Sequence, residues 1–447
     1  MRIVPKGLRT LQFSFTDAEL THFGGLVLIQ RFCQKLRLRW RLQRDLRLVR
    51  QTGEFQPADL LLALAYVMIA GLRRVSKTQI LQYNGVFLSL IGLERFPDPS
   101  NLRRFLHRLE PQTIRQVVRL HDGLRSQLWR LPRARTTLIF DLDSVVITVY
   151  GQQQGARLGY NPKKKGRRSY HPLLCFEAHR HEFWHGSFRP GNTSANTGVV
   201  PFMERCLGKV SGTLARSRVR LRADAGFYVG KLLGMLERRG CGYVVVAKQY
   251  GTIRRRAVGV RFRKLRHGWE AGQFFFRAHG WPEARRFVVV RRPLPEDPEE
   301  AVQLKLFHDR RYAYEVLVTN LKLSPWRVWR FYAPRATIEK TIRELLYDLP
   351  LSQIPTNRWL ANVAYFHVMM LAYNLVHWFK RLCLPADYAN ATVETVRREF
   401  LALPGRLTHP GGRHVLQLPS GYPLKKEFLQ AIRKLERLKL PKAGICK

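Results

Sequence analysis

Acidic residues are scarce in this chain, with 32 Asp plus Glu against 78 Lys plus Arg in 447 residues. A carboxylate inside an apolar run therefore stands out. Asp141 and Asp143 sit within Leu138-Ile139-Phe140-Asp141-Leu142-Asp143-Ser144-Val145-Val146-Ile147-Thr148-Val149-Tyr150, which reads as one buried strand because apolar and β-branched residues dominate it. Two residues apart, the aspartates share one face. Asp224 closes a second apolar segment at its C-terminal end, where α/β sheets place ligands. Leaving any of these charges buried and unpaired costs several kcal/mol, so each requires a cation, either a metal ion or one of the many arginines.

A third acid lies in Phe331-Tyr332-Ala333-Pro334-Arg335-Ala336-Thr337-Ile338-Glu339-Lys340-Thr341-Ile342-Arg343. Pro334 fits the first turn of a helix, and Arg335, Glu339 and Arg343 then stack on one face at four-residue intervals. That face can hold phosphate and metal together, or serve as a surface ion-pair ladder. Three oxygen ligands without a His or Cys partner suit magnesium or manganese better than zinc. Two such ions would activate a water or a 3′-hydroxyl for in-line attack on a phosphodiester.

The formal net charge of +46 points to a polyanionic partner. Because the basic residues are spread along the chain instead of gathered in one amphipathic helix, DNA is a better fit than a membrane surface. No charged segment followed by an apolar one opens the sequence. The six cysteines are scattered, and are expected as reduced thiols in a cytoplasmic protein. Leu60 to Leu72 is too short to span a bilayer. Trp359 to Phe379 is long enough but carries Asn362, His367, Asn374 and His377, which favours a buried helix.

These patterns divide the chain into a helical region over 1–130, an α/β region over 131–350 and a helical region over 351–447. Within the second, an arginine-laden alternation over about 248–319 reads as a β-rich insertion. Ser100 is expected to cap a short helix from Asn101 to Leu109, which would set Arg103 and Arg104 toward DNA phosphates. A hairpin is expected from Tyr170 to Ala178 and from Glu182 to Phe188, then a strand from Arg218, a helix to Arg239 and a strand from Gly242 to Ala247. Helices should run from near Ser324 through Leu349, from Trp359 to Cys383 and from Lys425 to Leu438. His179, His181 and His185, in a polar turn without acidic or Cys partners, read as plain surface histidines. Trp184, Trp269, Trp281, Trp326 and Trp329 can stack on unpaired bases, though packing is the commoner use of tryptophan.

The stretches Asp141-Leu142-Asp143-Ser144, Gly159-Tyr160-Asn161-Pro162-Lys163-Lys164, Ser169-Tyr170-His171-Pro172-Leu173-Leu174, Arg189-Pro190-Gly191-Asn192-Thr193 and Leu221-Arg222-Ala223-Asp224-Ala225-Gly226-Phe227-Tyr228 together resemble the DDE transposases of bacterial insertion sequences, most closely the group numbered thirteen-eighty. The resemblance covers about Thr136 to Cys383. It implies an RNase H-like mixed-sheet core with a β-rich insertion before the last acid and flanking helical regions. It also implies catalytic, metal-holding roles for Asp143, Asp224 and Glu339, with Asp141 as a supporting or replacement ligand.

The family signature Y-x2-R-x3-E-x6-K is met at Tyr332, Arg335 and Glu339, while its lysine position is Leu346; Arg343 or Lys340 would then supply that phosphate contact. Resemblance also places Lys163, Lys164, Lys165, Arg167 and Arg168 near the active site, as a clamp on DNA backbone. The expected protein is a magnesium-dependent transposase, with manganese as substitute and two ions per site. It would act on double-stranded transposon ends and target DNA as a homodimer in the bacterial cytoplasm. The alternatives are a catalytically inactive, transposase-derived DNA-binding repressor, a nuclease that cuts without joining, and an RNA-binding scaffold.

Overall fold

The computed structural model describes residues 19–48, 54–131, 137–162, 164–210, 218–294 and 312–441. Lys163 lies outside them, as do Cys446 and the chain's first residues. The run from Leu138 to Tyr150 is two strands instead of the expected one. β2 (Thr137–Ser144) belongs to a large sheet and β3 (Ile147–Thr148) to a small one; β1 (Leu20–Thr21) lies elsewhere. The break at Val145-Val146 mirrors one in the partner strand, where β5 (Arg168–Tyr170) and β6 (Leu173–Glu177) are separated by His171-Pro172. Proline lacks the N–H that a continuous ladder needs, and here its carbonyl accepts from Val145 N–H at 3.1 Å.

The main sheet contains nine strands among the described residues. β2 is antiparallel to β6, which forms a hairpin with β7 (Glu182–Ser187). On its other side β2 is parallel to β8 (Arg218–Ala223), which is parallel to β9 (Gly242–Val246). The order β7-β6-β2-β8-β9, with β6 alone running opposite to the other four strands, is the RNase H-like arrangement. The alternating segment after it does form strands: β11 (Glu270–Phe276), β12 (Arg285–Pro293) and β13 (Tyr312–Thr319) follow the short β10 (Arg263–Lys264). β13 pairs with β9, so these strands extend the same sheet. The small sheet is β3-β5-β4, with β4 at Arg157–Leu158.

Helices flank the sheet. α1 (Val27–Lys35), α2 (Leu38–Asp45), α3 (Pro57–Ile69), α4 (Gly85–Ile91), α5 (Pro99–Arg108) and α6 (Pro111–Trp129) precede it in the chain. α5 starts one residue before the expected Ser100 cap, because Pro99 supplies the first turn and Asp98 precedes it. α7 (Val199–Gly208), α8 (Gly230–Arg238) and α9 (Gly251–Val258) follow; α9 was hidden within the alternating segment. The helix expected from Ser324 through Leu349 is broken at Pro334, giving α10 (Pro325–Tyr332), a tight turn over Ala333–Ala336, and α11 (Thr337–Tyr347). α12 (Trp359–Cys383) has the expected length.

α12 is buried because its apolar residues face helices on several sides, α3, α5 and α6 among them. Its polar groups are paired in place. Asn374 accepts from Phe183 N–H and donates to Phe183 O, both at 2.9 Å, which caps the free edge of β7 with a side-chain amide. His377 meets Glu344 at 3.2 Å. The turn before β7 also departs from expectation, since His185 is no surface histidine: it stacks on Phe202 and meets Lys209 Nζ at 3.1 Å. Its burial follows from the bulge in the β6–β7 pairing, which turns it toward Phe202, on the face opposite to the one where Phe183 meets Phe366 of α12.

The β6–β7 hairpin buries two acids at its turn. Glu182 accepts from Trp129 Nε1 at 2.8 Å and Trp378 Nε1 at 2.6 Å. Its neighbour Glu177 accepts from Arg180 N–H at 3.0 Å and has no side-chain donor comparable to these tryptophans among the described residues. Burial, with the charge of Glu182, pushes Glu177 up to about 7. A raised carboxyl stabilises the fold below its ordinary value near 4.5, and that contribution is lost as pH rises through 7. Glu177→Gln should therefore unfold at a higher temperature than wild type at pH 8 and at nearly the same temperature at pH 5. The advantage at pH 8 should be on the order of 3 kcal/mol; melting curves that keep the same offset at both pH values would contradict the assignment.

Candidate active site

The register of β2 and β8 decides which side chains meet. Asp141 lies directly across from Arg222, and two residues further along the same face the pair becomes Asp143 and Asp224. Arg222 donates to both oxygens of Asp141 at 2.7 Å through Nε and Nη2, and both residues are buried. Asp141 is thus satisfied by an arginine and does not stand as an open ligand. The third donor of Arg222, Nη1, reaches Phe331 O at 3.0 Å, which ties the end of α10 to this edge of the sheet.

Asp143 and Asp224 face each other as like charges, an arrangement that destabilises a sheet without a cation between them. Each commits one oxygen to a backbone N–H: Asp143 Oδ1 accepts from Ser144 at 2.7 Å and Asp224 Oδ1 from Gly226 at 2.8 Å. Both turn their other oxygen to a single nitrogen, Arg335 Nη2, at 2.9 Å and 3.3 Å. Burial pushes the Asp143 carboxyl up to about 6, against the pull of Arg335 and with help from the charges of Asp224 and Glu339.

Arg335 departs from the expected face of a helix. It lies in the tight turn and is buried, whereas Glu339 and Arg343 are exposed on α11. The turn at Pro334 swings Arg335 inward between the aspartates. Arg335 Nε is buried and has no partner among the described residues. Tyr332, at the end of α10, is buried beside Arg335. Glu339 stands close enough for its charge to act on Asp143, yet among the described residues no three Asp, Glu, His or Cys side chains are drawn into one cluster. In donor chemistry the site fits a hard divalent cation, because two carboxylate oxygens already converge on one positive centre and a third acid is near.

A strap of backbone holds this edge in place. His171 presents Nδ1 to Thr193 O at 2.6 Å, so the proton belongs on Nδ1, and Nε2 accepts from Ser144 Oγ at 2.9 Å. Arg189 donates to His171 O at 2.9 Å and to Thr197 O at 2.7 Å. A side chain at Gly191 would collide with Ser169 O, 2.3 Å from the added carbon, so this loop lies flat on β5.

Arg222, His171 and Arg189 were not singled out as site residues from the sequence. Only the alternation Arg218, Arg220, Arg222 along β8 hinted at a basic face, and without the register it named no partner. Lys164, Lys165 and Arg167 are exposed in the loop before β5, and Arg168 is exposed at its first position. Arg103 and Arg104 lie on α5, where Arg104 donates to Asn101. Trp184 and Trp281 are buried, and Trp269, Trp326 and Trp329 stack on one another at 4.5–5.8 Å.

A family model described as Transposase DDE domain group 1 matches residues 4–440. Among solved structures, a piggyBac transposase synaptic complex with hairpin DNA is similar at 12% identity and a TM-score of 0.40, covering 83% of this chain and 85% of that one. No curated protein matches.

The two aspartates of β2 should respond differently to loss of charge. Asp141→Asn leaves Arg222 buried without its counter-charge and should cost about 3–5 kcal/mol. After Asp143→Asn, Arg335 still holds Asp224, so the loss should be smaller. Denaturant unfolding of both variants without divalent metal measures the difference, and equal losses would contradict the separation of the two ion pairs.

Proposed function

The chain belongs to the DDE transposase family described as domain group 1, and from that membership we propose that it cuts the ends of an insertion sequence and joins the freed 3′-hydroxyls to target DNA. The observation that carries the reading is the convergence of Asp143 and Asp224 on one cationic centre at the C-terminal edge of the sheet. Asp143, Asp224 and Glu339 are the residues that would hold magnesium, with manganese as substitute and two ions per site. When bound, the ions supply charge neutralisation and activation of the attacking oxygen.

The chain's own residues do the rest. Backbone N–H groups of Ser144 and Gly226 fix the orientation of each aspartate, so that little reorganisation is needed as charge develops. Arg335, held between the aspartates, would position the scissile phosphate, and Tyr332 packs beside it to limit its motion. Arg343, exposed on α11, and the neighbouring Lys340 fit the phosphate contact that Leu346 cannot make. The +46 charge supplies sequence-independent attraction to duplex DNA, with pairing of two protomers on the DNA and action in the bacterial cytoplasm as parts of the same proposal.

Magnesium-dependent cleavage of a fragment carrying the element's ends tests this directly. Wild type should cut at the ends, while Asp143→Asn, Asp224→Asn and Glu339→Gln should bind the fragment and fall to background cutting. Binding without cutting by wild type, in magnesium or manganese, would replace the enzyme by a DNA-binding repressor. Separately, changing Lys164, Lys165, Arg167 and Arg168 together to alanine should lower the slope of log affinity against log salt by about 3 to 4; an unchanged slope would remove these residues from the DNA contact.

A further inference from the structure

Two tyrosines are displayed in water at the end of the small sheet where β3 and β4 leave it. Tyr150 is 73% exposed and Tyr160 76% exposed. β3 and β4 both run antiparallel to β5 on its two sides, and Thr148 and Arg157 both pair with Ser169. The chain therefore leaves both strands at the same end, where Arg167 and Arg168 lie between them. Two strand spacings separate the exits, about 10 Å. The guanidinium of Arg167 lies 6.0 Å from the Tyr150 ring centre.

The exposure is built in, because the neighbours of each ring are pinned. Val149 is buried and donates to Arg168 O at 2.8 Å. Gly159 lies hard against the backbone of Gly191 and Asn192, where an added carbon would come 2.1 Å from Gly191 O. Asn161 is buried, donates to Thr148 Oγ1 at 3.0 Å and accepts from Lys164 N–H at 3.1 Å. A stiff ring on a fixed backbone loses little conformational freedom on contact.

The surroundings select the partner. Between Asp143 and Glu177 there is no Asp or Glu, while Arg157, Lys164, Lys165, Arg167 and Arg168 make a basic rim of the same segment, with Arg167 beside the Tyr150 ring. A second copy of so basic a chain is repelled from this rim, and a phosphate backbone is attracted to it. A strand held by the rim sets its bases against the rings. Bases inside a duplex have their faces covered by their neighbours, so ring stacking requires unpaired ones. Resting on the transposase reading, we infer that Tyr150 and Tyr160 form a stacking site for unpaired DNA bases at the Arg167 end of the small sheet.

The full chain, without divalent cation, would be titrated against three labelled DNAs of equal length: a fully paired duplex, a duplex with a single-stranded 3′ tail, and a duplex with an internal mismatched bubble. Preference for the tail would identify the cut end as the source of the bases, and preference for the bubble would identify opened target. In either case wild type should favour the unpaired DNA over the duplex by roughly tenfold or more. Tyr150→Ala with Tyr160→Ala should abolish that preference with paired-duplex affinity retained, and the corresponding Phe pair should keep it.

Equal binding of all three DNAs by wild type would overturn the stacking site and leave the transposase reading intact, whereas binding to none would count against that reading itself. Equal loss of paired and unpaired binding in the Ala pair would also overturn it, by making the rings part of a general contact. So would light scattering in which the Ala pair converts a dimer to a monomer with the preference unchanged.

Discussion

Two like charges held opposite each other at the end of adjacent parallel strands set the central constraint on this molecule. The β2–β8 register brings Asp143 to Asp224, and Asp143, the more deeply buried of the two, needs a cation beside it to stay charged. Arg335 supplies it from a turn that follows the inserted strands in the chain. Arg222 links the two parts of the arrangement, since it neutralises Asp141 and with its remaining nitrogen holds Phe331 O. The segment that delivers Tyr332 and Arg335 is thereby fastened to the strand pair it serves.

The rest of the fold keeps that edge still. α12 covers the far side of the sheet and closes the β7 edge through Asn374, and helices from both flanking regions pack around it in one core. On the near side, the loop through Arg189 and Thr193 fixes His171, which in turn orients Ser144 beside Asp143. Burial of polar groups at these points is tolerated because most find a partner, although several atoms do not, His377 Nδ1 and Arg189 Nη2 among them. Arg335 Nε, in the site, is likewise without a partner among the described residues.

Much of the architecture was legible in the residues. Alternation and apolar runs marked β8, β9 and α12 at nearly their observed positions and the segment that holds β11 to β13, since burial patterns of period two and of continuous apolarity are local. The errors came where local preference was overruled. The run through Val149 looked like one strand because every residue in it suits a strand, and only the proline of its partner splits it. Pro334 fitted a helix start, yet it makes a tight turn that sends Arg335 inward while Glu339 stays outside. His185 was grouped with His179 and His181 in a polar turn, though it lies within β7 and its neighbour in space is Phe202.

By itself the sequence determined that a basic chain carries a few acids in apolar strands, that these require cations, and that oxygen ligands without His or Cys suit a hard ion. Which cation each acid receives was decided by the tertiary structure. Asp141 and Asp143 are equivalent by type and by face, and only the pairing of β2 with β8 gives one to Arg222 and sets the other against Asp224. Register and chain reversal act between residues far apart in sequence, so no local pattern of charge or periodicity contains them.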